Sequence, residues 1–70
     1  MLDKNLIKSI IALNGDTQGD LANALGISET SLSSKLNGKQ PFKSSEIYMI
    51  KKLYKLAPEQ VDNIFFRNHN

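Results

Sequence analysis

Between Thr17 and Lys39 the chain reads TQGDLANALGISETSLSSKLNGK, a stretch that admits few folds because both of its apolar segments stop within two or three helical turns. Thr17 suits the N-cap of a first helix, with Asp20 three residues on in a capping-box arrangement that uses Asp in place of the usual Glu or Gln. Leu21, Ala22 and Leu25 share one face of that helix. Gly26 follows where a helix needs a left-handed residue at its C-terminus, a conformation glycine takes without a Cβ clash. Ser28 then caps a second helix, onto whose fourth residue, Leu32, the preceding Ile27 can staple. Leu32 and Leu36 continue that face until Asn37-Gly38 stops it. About three residues join the two helices, too few for a long antiparallel hairpin, so the spacing predicts a steep crossing.

With Leu32 and Leu36 facing inward, the helical step of about 100° puts Thr30, Ser34 and Asn37 on the opposite side. That stripe is uncharged, short and hydrogen-bonding. Ser31, Ser33 and Lys35 flank it, and Glu29 occupies the exposed first turn. Such a surface suits the reading of base edges better than burial against protein.

The pattern Thr-Gln, Leu-Ala, Leu-Gly-Ile-Ser, Leu-Ser, Asn-Gly-Lys at Thr17, Gln18, Leu21, Ala22, Leu25, Gly26, Ile27, Ser28, Leu32, Ser33, Asn37, Gly38 and Lys39 resembles the helix-turn-helix of the Cro and Xre-type phage repressor family. It extends more loosely to Pro41-Phe42, Ser45-Glu46-Ile47 and Ile64-Phe65-Phe66, roughly residues 5 to 66. The resemblance implies an all-α, compact five-helix, lambda-repressor-like domain with its helix-turn-helix over residues 17–37. It implies base contacts from Glu29, Thr30 and Ser34 in the major groove, with Ser28, Ser31 and Ser33 near the backbone or flanking bases. Gln18 is placed on a phosphate beside the positive end of its helix. Asn37 and Lys39 are further backbone contacts, and Thr17 reaches a phosphate if capping does not fully occupy its hydroxyl. Lys39 and Lys43 lie on the rim of the same face.

This chain departs from the family in two ways. Many relatives carry Arg, Lys or Gln where it has Glu29 and Thr30, so the bidentate fork to guanine or adenine is missing. Glu29 accepts from cytosine N4, braces a neighbouring lysine or stabilises the dipole of its own helix; it also repels phosphates, so discrimination leans on water or DNA shape. The Lys35-Leu36 pair stands where other members have Ile-Glu.

The rest of the chain reads as support. A first helix is expected from Asp3, its N-cap, to Leu13, with Leu6, Ile7, Ile10, Ile11 and Leu13 as a broad apolar face, Lys4 and Lys8 solvated, and Asn14-Gly15 as the stop. Pro41 forbids a continuing helix after Lys39, and Phe42 in its polar loop is expected to turn inward. A fourth helix should start at Ser44 or Ser45 and run to about Leu56, with Ile47, Ile50, Leu53, Tyr54 and Leu56 inward and Lys51, Lys52 and Lys55 outward. Pro58 suits the first position of a fifth, burying Val61, Ile64 and Phe65 ahead of a polar tail at 67–70. Phe66 cannot face the same way as Phe65; it either packs in the core or lies on a dimer surface.

Seventy residues make one domain that buries roughly 60% of the surface its unfolded chain exposes. The absence of cysteine excludes a disulfide framework and a thiolate zinc site. The segment MLDKNLIKSIIALNG is too often interrupted by polar residues for a signal peptide or membrane span, so a cytoplasmic protein without membrane contact is expected. The net charge of +2 is mild, but Lys35, Lys39 and Lys43 against Glu29 set positive charge just after the second helix of the pair. Taken alone, three lysines are equally a solvated face.

Catalysis is not expected. The one histidine, His69, sits in the tail, no base lies near the serines to activate them, and no phosphate-binding glycine loop occurs. No cofactor, metal or small-molecule ligand is implied. The expected function is sequence-specific binding of double-stranded DNA by a transcriptional regulator, a repressor of phage or mobile-element type. It would act as a homodimer on a palindromic operator with half-sites about 34 Å apart. The alternative is a helical protein-interaction module that keeps the helix-turn-helix shell without specific DNA binding and uses the polar stripe or the Phe65-Phe66 patch.

Overall fold

Ile7, Leu21, Leu32, Leu36, Ile50 and Ile64 are fully sealed from solvent, and they are drawn from every quarter of the chain. A computed structural model, which describes residues 2–67, gathers them at the centre of five α-helices followed by one π-helical turn, with no strand among the described residues. The helices are α1 (Lys4–Leu13), α2 (Gln18–Leu25), α3 (Glu29–Leu36), α4 (Ser44–Leu53) and α5 (Pro58–Val61), and the π turn spans Asp62–Phe66. This is the expected all-α domain. Its radius of gyration, 11.0 Å, matches the value of about 11 Å for a tightly packed chain of this length. No helix among the described residues is long and apolar enough to cross a membrane.

Local chemistry sets the boundaries of the first three helices. The Asp3 carboxylate accepts from the Leu6 N–H at 3.0 Å and opens α1, and Asn14 closes it, donating its side-chain amide to the Ile10 carbonyl at 2.8 Å. Asp3 also donates its own backbone N–H to the Ile64 carbonyl at 2.7 Å, tying the start of α1 to the π turn. Only Ile7 and Ile11 of the α1 stripe are buried. Leu6 and Ile10 are half-buried, and Leu13, expected inward, is 84% exposed because it falls at the end of the helix beyond the reach of the other elements.

The fourth helix differs from its expected course. It ends at Leu53, and the chain reverses through Lys55 at φ +53°, a left-handed conformation uncommon for a residue with a side chain. That reversal turns both Tyr54 and Leu56 into the core, and Leu56 N–H closes it on the Lys51 carbonyl at 2.9 Å. The inward stripe of α4 is therefore Glu46, Ile50 and Tyr54, at i, i+4 and i+8. Ile47 is only half-buried, and Leu53, expected in the core, lies at the surface beside Ala24 and Leu25 in the last turn of α4. Phe42 turns inward as expected and meets Phe65 edge to face, with ring centroids 5.3 Å apart. The π turn sends Ile64 and Phe65 inward and leaves Phe66 exposed.

Candidate nucleic-acid interface

Helix α2 begins with a reciprocal capping box. Asp20 N–H donates to the Thr17 hydroxyl oxygen at 3.1 Å, and Thr17 N–H donates to the Asp20 carboxylate at 2.9 Å. The Thr17 N–H first, and then the Thr17 hydroxyl, hold the Asp20 carboxyl below the usual carboxylate range. The Thr17 hydroxyl accepts in this box and turns its proton toward the Asp20 carboxylate, so a phosphate contact from it competes with the cap. Helix α2 ends at Gly26 with φ +71°, and the Ile27 N–H reaches back to the Ala22 carbonyl at 3.0 Å, so three residues, Gly26, Ile27 and Ser28, carry the chain into α3. Ser28 caps α3 by accepting from the Ser31 N–H at 3.1 Å, and its hydroxyl donates to the Ser31 hydroxyl at 3.1 Å.

The outer face of α3 is uneven. Glu29 and Thr30 are exposed, while Ser31, Ser33 and Ser34 are half-buried. No hydrogen bond inside the protein, among the described residues, engages the side chain of Thr30 or of Ser34. Gln18, Lys39 and Lys43 are exposed around them. Asn37 has a structural task at the end of α3, where its amide donates to the Ser33 carbonyl at 2.9 Å and its oxygen accepts from Lys8 Nζ at 3.5 Å. A phosphate contact from Asn37 therefore competes with bonds it already makes.

Lys35 does not flank the stripe. Only 6% of it is exposed; it turns under α3 and donates to both carboxylate oxygens of Glu46, at 2.6 and 2.5 Å, while Glu46 also accepts from the Lys43 N–H at 2.8 Å. Burial alone would raise the Glu46 carboxyl, but the bonds from Lys35 and from the Lys43 backbone, with the charges of both lysines, outweigh it and hold the group below its ordinary value. The expected cluster of three lysines is thus reduced to Lys39 and Lys43 at the surface. The sequence reading missed Glu46 because its partner lies eleven residues away, and only the SSEI start of α4, with Glu at the third helical position, hinted that it would be held.

A second contact joins the two helices of the pair. The Glu29 carboxylate lies against Gly19 in the first turn of α2, where a Cβ would collide with it. A negative group from α3 thereby rests near the positive end of α2, beside exposed Gln18. The glycine in TQGD was the available signal. Behind the interface, the Tyr54 hydroxyl donates to Asp16 at 2.8 Å and anchors the α1–α2 loop; burial and then the Asp16 carboxylate push that phenol above its ordinary value.

Among the described residues no three His, Asp or Glu side chains converge in a manner that could hold a metal. His69 and the end of the polar tail lie outside the described residues. No curated protein matches the chain. The model of a family described as protein of unknown function (DUF739) matches residues 3–68, and the chain belongs to that family.

Proposed function

We propose that the chain is a sequence-specific duplex-DNA-binding protein of the Cro and Xre type, a transcriptional repressor of the phage or mobile-element kind. In this reading α3 enters the major groove and α2 spans the backbone. The observation that carries it is the outer face of α3. Thr30 and Ser34 hold polar groups engaged by nothing inside the protein, backed by the buried Leu32–Leu36 seam and bordered by exposed Gln18, Lys39 and Lys43. Thr30 and Ser34 would read base edges, and Glu29, steadied against Gly19, would accept from cytosine N4. Gln18, Lys39 and Lys43 would take phosphates and set the register, and Thr17 would join them only by giving up its hydroxyl bond to Asp20. One such domain covers a single half-site, so binding as a homodimer to a palindrome accompanies this reading.

The withdrawal of Lys35 from the surface favours the alternative, a protein-interaction module, because it lowers the positive charge that phosphate contact requires. Selection of bound duplexes from a random pool, at low and at moderate salt, separates the two. A two-fold symmetric consensus is expected. Binding without enrichment that vanishes on adding salt would overturn the proposal in favour of the interaction module.

A further inference from the structure

A second surface lies on the far side of the α2–α3 pair. Tyr48, Met49 and Leu53 are 58%, 43% and 46% exposed, and their spacing places them on one side of α4. With Ala24, Leu25 and Lys52 they line a groove of about 400 Å³ between α4 and the C-terminal end of α2. Lys52 Nζ lies 5.4 Å from the centroid of the Tyr48 ring. Lys51 and Lys55 belong to the same segment, and no acidic residue occurs between positions 47 and 58. Lys52 is the one charged residue that lines the groove, and an exposed apolar cluster with a cation at its edge suits a protein-binding site.

We propose that this groove docks an acidic amphipathic helix of a partner protein. Apolar side chains of the partner at helical spacing rest on Tyr48, Met49 and Leu53, and its Asp and Glu residues meet Lys52. A second copy of the chain fits poorly, because a two-fold interface sets each patch against itself and brings lysines onto lysines. Duplex DNA fits poorly as well, since phosphates offer nothing to cover the apolar trio. Ala24 and Leu25 stand at the opposite end of α2 from Gln18, about 10 Å along the axis, so the groove stays open when α2 and α3 are engaged. The inference goes beyond DNA binding and stands whether or not α3 reads bases.

The test is an NMR titration of the isotope-labelled full chain with a synthetic Leu/Glu amphipathic helix of about 14 residues and with its counterpart carrying Lys at every Glu position. The Glu peptide is expected to shift the amides of Ala24, Leu25, Tyr48, Met49 and Leu53, and the Lys peptide to bind at least about tenfold more weakly. Leu53→Ser and Lys52→Glu, both at exposed positions and checked for folding by circular dichroism, should each weaken the Glu peptide about tenfold. Equal binding of both peptides, no shift at these five residues, or shifts there on concentrating the protein alone would each overturn the proposal. Shifts there on adding duplex DNA would overturn it too, by making the groove a DNA surface; failure of DNA binding itself leaves the peptide result unaffected.

Discussion

Lys35 and Glu46 carry opposite charges into a part of the molecule where water barely reaches, and each is tolerable only because of the other. Removing one partner leaves the other buried and uncompensated, a loss of about 3–5 kcal/mol. A domain of this length has only about 4–10 kcal/mol in total. Lys35→Met or Glu46→Leu alone should therefore come close to unfolding the protein in urea titrations, whereas the double substitution should recover most of the loss. Acid probes the same pair. The Asp20 and Glu46 carboxyls are both held below their ordinary values, so their contribution is complete above the unfolded-state pKa of about 4 and is withdrawn as pH falls through the folded-state values. The urea midpoint should be flat from pH 7 to about 5 and then decline, and less steeply in Glu46→Gln than in the parent. Gly19→Ala gives a third residue-scale test. The methyl would displace the Glu29 carboxylate, the far end of a flexible exposed side chain, so stability should change by less than about 1 kcal/mol. Base preference in a binding selection should nonetheless shift if Glu29 reads cytosine.

At the scale of elements, α2 and α3 depend on features that act within a few residues. Gly26→Ala, which puts a Cβ at φ +71°, should cost about 1–2 kcal/mol and lower the thermal midpoint, with α1 unaffected in its own capping. These features are also why the starts and stops of α1, α2 and α3 were legible from sequence. Asp3, Thr17 and Ser28 cap through bonds to residues three positions on, and such a bond needs no knowledge of the fold. The C-terminal half was harder to read for a physical reason. Lys55 takes a left-handed conformation without being Gly or Asn, imposed by the need to bury Tyr54 and Leu56 together. The π turn is closed by the Arg67 N–H on the Asp62 carbonyl at 2.8 Å, a five-residue span that leaves no residue-type signature. At the candidate interface, the exposed position of Thr30 followed from helical phase and that of Gln18 from the resemblance, but the inward turn of Lys35 followed from Glu46, which belongs to another helix.

At the scale of the whole molecule, DNA binding predicts a dependence on salt that an interaction module lacks. Each phosphate neutralised adds about 0.9 to the slope of log affinity against log salt, so Lys39→Ala should reduce that slope by about 1 and weaken all sequences alike. Thr30→Ala or Ser34→Ala should instead leave the slope and relax the preference among sequences. A last consequence follows from the bond between the Asp3 N–H and the Ile64 carbonyl, which brings the start of α1 and the π turn to one edge of the domain. A force applied through the two ends would load this bond early, and opening it pulls directly on Ile64, which is sealed in the core beside Ile7. Pulling and urea should therefore report the loss of the same sealed centre, the one from its edge and the other all at once.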